Sequence, residues 1–191
     1  MIRIGILGST RGTNLAAIQQ AIEQKTLDAE IAIVISNKAD AFILDQARAF
    51  HLSTQFINPK DFTRPEYDAK VTAVLKQHDV KLIVLIGYMR ILSEPFVDEW
   101  QQKIINVHPS LLPAFAGLMD LNVHRAVIAA GVKETGCTVH YVTKEVDAGP
   151  ILLQKKCAVL TTDTPESLKS RVQSLEAEAL IETIRWFKTI N

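Results

Sequence analysis

The chain has 191 residues, of which 48% are hydrophobic and 22% charged, with 21 basic residues against 21 acidic ones. One domain over residues 1–191, with a substantial buried core, suits that length, and the balanced charge supplies no bulk field for nucleic acid or an anionic membrane, so any anion site must be local. The longest apolar runs, 81–88 and 31–35, fall far short of the ~20 residues a membrane span needs, and the cysteines, Cys137 and Cys157, lie far apart without a CxxC, which argues against a disulfide framework or a cysteine zinc site.

The opening MIRIGILGS lacks a charged leader and a long apolar signal region, and it reads as a first strand over Ile2–Leu7 of a cytoplasmic protein. A polar loop containing Gly8 and Gly12-Thr13-Asn14 follows. Next comes a helical pattern with Leu15, Ile18, Ala21 and Ile22 on one face. The start of such a helix offers free backbone N–H groups and a partial positive charge, so the loop is either an anion site or a plain strand-to-helix turn. It matches neither GxGxxG nor the P-loop pattern. Ala29–Ser36 is a second buried strand, followed by a turn at 37–40 and a helix to about Phe50. Thr54–Ile57 is a short third strand, Pro59–Phe62 supplies turn and cap chemistry, and Pro65 suits the first turn of a helix ending near Gln77.

The most apolar strand, Lys81–Gly87, leads into Tyr88-Met89-Arg90-Ile91-Leu92. Met89 and Leu92 beside backbone amides at a strand end would suit a flat heterocycle, or would simply cap the core. Ser93 is placed to cap a short helix over Glu94–Trp100. Beyond a loop through Gly117, a helix is expected near Val123–Ala130, then strands at Thr135–Val142 and Ile151–Val159 around a polar loop at 143–150. The second Asn-Val-His, at 122–124, reads as a coincidence in a different context. Thr164 and Pro165 open the last helix, with Leu168, Val172, Leu175 and Ala179 as its apolar stripe. Gln173 and Glu176 share a neighbouring face, either solvated or turned to a ligand. Strands alternating with helices predict one α/β domain: a mostly parallel, twisted sheet with helices on both faces. The short loop between the last two strands makes the C-terminal side antiparallel.

Lys103–Pro113, KIINVHPSLLP, carries the strongest chemical signal. On an extended segment Asn106 and His108 project to the same side, at a strand end stopped by Pro109. An amide beside an imidazole can hold a developing oxyanion and move a proton. Asp147, in the polar loop before Gly149-Pro150, is the best carboxylate to orient His108 and stabilise its protonated form, although a turn favours Asp without function as well. No G-x-S-x-G elbow, catalytic-cysteine signature or metal-ligand spacing among the histidines at 51, 78, 108, 124 and 140 occurs. Such a site, without a protein nucleophile, fits direct transfer of an acyl group to a substrate amine.

With INVHPSLLP (105–113), SNKADAF (36–42), GYMRILS (87–93) and VDAGPI (146–151) in this order and spacing, the chain resembles the folate-dependent phosphoribosylglycinamide formyltransferases of purine biosynthesis over nearly its whole length. Methionyl-tRNA formyltransferase shares the Asn…His…Asp core and the SLLP stretch but adds a C-terminal domain that 191 residues are not expected to include. The resemblance implies the catalytic set Asn106, His108 and Asp147. It implies a ribonucleotide site from Gly12, Thr13, Asn14, Gln173 and Glu176, with Thr13 in place of the usual Ser. It also implies a folate site from Arg64, Met89, Arg90, Ile91, Leu92, Asn106 and the loop Thr143, Lys144, Glu145, Val146, Asp147. The implied reaction moves a formyl group from 10-formyltetrahydrofolate, a co-substrate, to the amine of glycinamide ribonucleotide, with no metal. The implied partners are small molecules, with neither nucleic acid nor membrane, and the protein is a monomer or a homodimer. Phe115–His124 is longer than in the best-known members, and Gly136-Cys137-Thr138 stands where Gly-Thr-Ser is common. His140 is read as supporting.

Overall fold

The strand-forming runs of Ile, Val and Leu assemble a seven-stranded sheet in the order β3-β2-β1-β4-β5-β6-β7. The strands are β1 (Ile2–Gly8), β2 (Ala29–Ser36), β3 (Thr54–Phe56), β4 (Leu82–Ile86), β5 (Ile104–His108), β6 (Glu134–Tyr141) and β7 (Ile151–Ala158). The helices are α1 (Thr13–Glu23), α2 (Phe42–Ala49), α3 (Arg64–Gln77), α4 (Glu94–Glu99), α5 (Leu121–Ala129) and α6 (Pro165–Thr189). This computed structural model describes residues 1–189; Ile190 and Asn191, the end of the expected 1–191 domain, lie outside the described residues.

The strands from β1 to β5 pair in parallel, while β6 runs antiparallel to both β5 and β7, so the sheet is mixed on its C-terminal side as the short 143–150 loop predicts. Alternation along the strands splits the core in two. Ile4, Ile6, Leu82, Val84 and Ile105 pack under α1, α2, α5 and α6. Leu7, Ile33, Ile35, Ile83, Leu85 and Ile104 pack under α3 and α4. A register shift between Ile4 and Gly5 puts Ile31 and Val34 on one face, which strict period-2 alternation would not.

Two local expectations are corrected. The N-cap of α3 is Thr63, outside the 59–62 stretch: the Glu66 carboxylate accepts the Thr63 N–H at 2.8 Å and its hydroxyl at 2.7 Å. Ser93 precedes α4 but makes no side-chain cap bond; its backbone N–H instead donates to Asp68 Oδ2 at 2.6 Å. At α6, by contrast, Thr164 caps as expected, accepting the Ser167 N–H at 3.2 Å.

The chain order reverses between β1 and β4, since β2 and β3 lie to one side of β1 and the chain returns through α3 to the other. In doubly wound sheets the crevice for ligands opens at such a switch point, beyond the carboxyl ends of the strands. The loops bordering it are tied together. Ser9 N–H donates to Gly87 O at 3.1 Å, and Met89 N–H donates to Ser9 Oγ at 2.9 Å. Ser9 Oγ in turn donates to Asn37 Oδ1 at 2.5 Å.

Candidate active site

β5 carries Asn106 and His108 toward the carboxyl end of the sheet, Asn106 beside Leu85 of β4 and His108 beyond that strand's end, and antiparallel pairing sets His140 opposite Asn106 and Thr138 opposite His108. The turn after His108 is locked from β6 and β7. Thr138 Oγ1 donates to Ser110 O at 2.7 Å and accepts the Leu112 N–H at 3.0 Å, while Gln154 Nε2 donates to Leu112 O and to Thr138 Oγ1. Thus the threonine of Gly136-Cys137-Thr138 is a structural keystone of the His108 turn. Cys137 points into the core, where burial pushes its thiol up to about 12.

The sequence-predicted trio comes together. Asp147 reaches back from the β6–β7 loop with φ 54°, a conformation Asp tolerates better than most residues, and places Oδ2 3.2 Å from His108 Nδ1. The other imidazole nitrogen, Nε2, lies 3.1 Å from the Phe115 carbonyl. Both His108 nitrogens therefore face acceptors, and the doubly protonated ring is the form that donates to both. Gly117 N–H donates to the same Asp147 Oδ2 at 2.9 Å. The 115–120 segment thus supplies two backbone groups to the pair, a contribution that residue-type patterns do not reveal. Helix α5 already starts at Leu121, so the expected loop over 115–124 is shorter than read.

His140 is part of this cluster. Its Nδ1 lies 2.9 Å from Tyr141 O, its Nε2 3.2 Å from Asn106 Nδ2 and 3.6 Å from Asp147 Oδ1. A carbonyl at Nδ1 requires a proton there, and burial holds the ring below the usual histidine range. Neutral His140 then accepts from Asn106 at Nε2. This fixes which end of the Asn106 amide is nitrogen.

The predicted ribonucleotide residues also converge. Gly12 adopts φ 70° and ends the β1 loop as the N-cap of α1; a Cβ there would sit 2.3 Å from Ile43 Cγ1, so only glycine brings the chain this close to α2. The Thr13 and Asn14 N–H groups then lie in the first turn, outside the intrahelical ladder. Asn14 Nδ2 donates to Glu176 Oε2 at 3.0 Å, joining α1 to α6. Burial raises the Glu176 carboxyl above its ordinary range, an effect the Asn14 bond opposes. Gln173, one turn earlier, is half-buried.

The predicted folate residues are spread more widely. Met89 and Ile91 are exposed after β4 while Leu92 is buried, and the Arg90 guanidinium stacks on Tyr67, 4.4 Å from the ring centroid. Arg64 begins α3, where its charge reaches Asp68. In the 143–146 loop, Thr143 Oγ1 donates to Glu145 O at 3.1 Å, and Val146 is exposed. Lys144 pairs with Glu94 at 3.3 Å and Asp98 at 3.1 Å, which ties it to α4. Among the described residues no group of three or more His, Cys, Asp or Glu is placed to hold a metal ion, and no helix is long and apolar enough to cross a membrane.

The second Asn-Val-His brings another buried histidine, His124, within reach of the His108 charge. It is 1% exposed on α5, with Nδ1 buried and unpartnered. Its second Asn-Val-His is helical, unlike the strand at 106–108, yet the ring sits among the charges of Lys169, Asp120 and His108. Burial, then Lys169, push it down to about 4.

An amide, an imidazole and a carboxylate at a switch-point crevice, without a serine or cysteine nucleophile among them, equip a group-transfer site. A family model described as formyl transferase matches residues 2–184, and the chain belongs to that family. It is 40% identical over 188 residues to a phosphoribosylglycinamide formyltransferase of Haemophilus influenzae, covering 98% of this chain and 87% of the relative. The crystal structure of glycinamide ribonucleotide transformylase 1 from Symbiobacterium toebii superposes with a TM-score of 0.93 at 41% identity, covering 98% of this chain and 87% of that one. The match to the trifunctional purine biosynthetic protein adenosine-3 of Gallus gallus is 45% identical over 179 residues, 93% of this chain, but spans only 18% of that protein.

Proposed function

We propose that the protein transfers a formyl group from 10-formyltetrahydrofolate to the amine of N1-(5-phospho-D-ribosyl)glycinamide, as a cytoplasmic enzyme of purine biosynthesis. The observation that carries this reading is the cluster in which Asp147 faces both His108 and His140, and His140 faces Asn106. The names of the Haemophilus relative and of the Symbiobacterium structure support formyl transfer to the same ribonucleotide.

In this reading the first-turn N–H groups at Thr13 and Asn14 take the substrate phosphate, and Glu176 with Gln173 takes the ribose. The folate head lies along Met89–Leu92 and the 143–146 loop, with Arg64 toward the rest of the co-substrate. The amine attacks the formyl carbon, forming an N–C bond while the carbonyl electrons become an oxyanion. The free N–H of the Asn106 amide donates to that oxyanion, and protonated His108 donates to it from Nε2 once the 115–120 segment lifts the Phe115 carbonyl off that nitrogen. Asp147 stabilises the charged imidazole and receives the amine proton, which passes to the folate nitrogen as its bond to carbon breaks and tetrahydrofolate leaves. His108 acts through hydrogen bonds and stays unacylated. The proposed site draws all its residues from one chain, which suits either a monomer or a homodimer.

The test is absorbance change from 10-formyl folate consumption with and without glycinamide ribonucleotide. Consumption that depends on the ribonucleotide is expected. Folate binding without turnover would assign the scaffold to a binding protein, and turnover with a different amine would replace the substrate.

A further inference from the structure

Two bulky or charged residues bound the strap that crosses His108, and both sit in a backbone region that non-glycine residues rarely adopt: Phe115 at φ 61° and Asp120 at φ 52°. Such conformations persist where surrounding contacts over-determine them. At the first end those contacts are on the page: the Phe115 carbonyl at His108 Nε2 and the Gly117 N–H on Asp147 Oδ2. At the second end the Asp120 carboxylate forms a hydrogen-bonded ion pair with Lys169 of α6, and this bond holds the Asp120 carboxyl below its usual range. Lys169 lies on the same helix as Glu176, which feels its charge, and Glu176 holds Asn14.

We propose that Asp120 and Lys169 are a latch: positioning residues that fasten the 115–120 strap to α6, keep the Gly117 N–H on Asp147 and the Phe115 carbonyl over His108 Nε2, and so set how open His108 is. The proposal rests on His108 being the working group of the proposed function. Neither latch residue touches the His108–Asp147 pair; both act through the strap. Because the carboxylate end is largely exposed, the latch is a surface ion pair, and its loss opens the strap several-fold without unfolding the protein.

The test reads His108 itself, so that it stands apart from whether formyl transfer occurs. The whole protein is treated with diethylpyrocarbonate, which acylates accessible neutral imidazole nitrogen, and each histidine is followed by peptide mass mapping. Lys169→Met and Asp120→Asn should each speed modification of His108 by about fivefold, the most a surface pair commonly supplies, while exposed His51 stays at its parent rate as the internal reference. Lys169→Arg should keep the parent rate. The double variant, Asp120→Asn with Lys169→Met, should be no more than about twofold faster than the faster single one, because both changes break the same bond. An unchanged His108 rate in both single variants overturns the latch. So does a double variant in which the two increases multiply, which would make the two residues act independently. Thermal melting of each variant separates strap opening from global loss of structure, and a variant that exposes His108 only by melting at the assay temperature also counts against the latch.

Discussion

The amide nitrogen of Asn106 lies 3.2 Å from Nε2 of His140, a neutral ring whose Nδ1 proton is committed to the Tyr141 carbonyl. An asparagine amide can present either end to a site; here the acceptor at Nε2 dictates the nitrogen end, leaving one N–H to point at the reacting centre. His140→Phe would preserve bulk while freeing the amide to rotate. We expect kcat to fall about tenfold to a hundredfold with little change in either KM, since the lost contact is felt in the transition state. Equal kcat in parent and variant would remove His140 from the orienting role.

His108 and Asp147 are expected to behave as one unit. His108→Ala or Asp147→Asn should lower kcat by about 10²–10⁴-fold, and the double variant should lose little more than the worse single one. Circular dichroism and thermal melting should show a folded protein in each case. Near-normal turnover in either single variant would sink the proposed mechanism.

The sheet was legible because its strands are β-branched runs of the right length, and Ala29–Ser36 matches the observed strand end to end. Asn106 and His108 were legible for the same reason: a strand's period places both on one face. The caps were read less well. Thr63-Arg64-Pro65-Glu66 carries the capping-box pattern in its sequence, whereas the fate of Ser93 depends on Asp68, 25 residues away. The same limit applies at the site. Backbone groups of Phe115 and Gly117 reach His108 and Asp147 whatever their side chains, and His124 meets Lys169 only once α5 and α6 have packed. Local periodicity carries neither relationship.

His124 gives the fold an acid-sensitive point. Its folded value of about 4 lies below the ordinary 6.5, so between these the unfolded chain binds more protons and stability falls as pH drops through that window. Burial is the largest cause; Lys169 and His108 also disfavour the imidazolium, and Asp120 opposes them. Lowering pH from about 7 to about 4.5 should cost the parent about 2–3 kcal/mol through this residue. Urea denaturation of His124→Leu at both values should show a pH dependence smaller by that amount. Identical slopes for parent and variant would mean that the ring charges freely in place.

Glu176 should show stability and function pulling in opposite directions. Its carboxyl is raised by burial, so the folded state holds the proton more tightly than the unfolded chain, and stability is lost as pH rises from the unfolded value through the folded one. Glu176→Gln keeps an oxygen to accept from Asn14 Nδ2 and removes the buried charge. The variant should therefore be more stable than the parent at neutral pH, with the difference vanishing in acid below the unfolded carboxyl value. The same change removes the charged acceptor offered to ribose hydroxyls, and KM for the ribonucleotide should rise about tenfold, the loss of one charge-assisted hydrogen bond. The Km for folate should stay constant, because Glu176 stands on the Asn14 side of the crevice. Parallel denaturation and steady-state kinetics on one preparation decide both halves. A variant less stable at neutral pH would show that the carboxylate is ionised and held by partners stronger than Asn14.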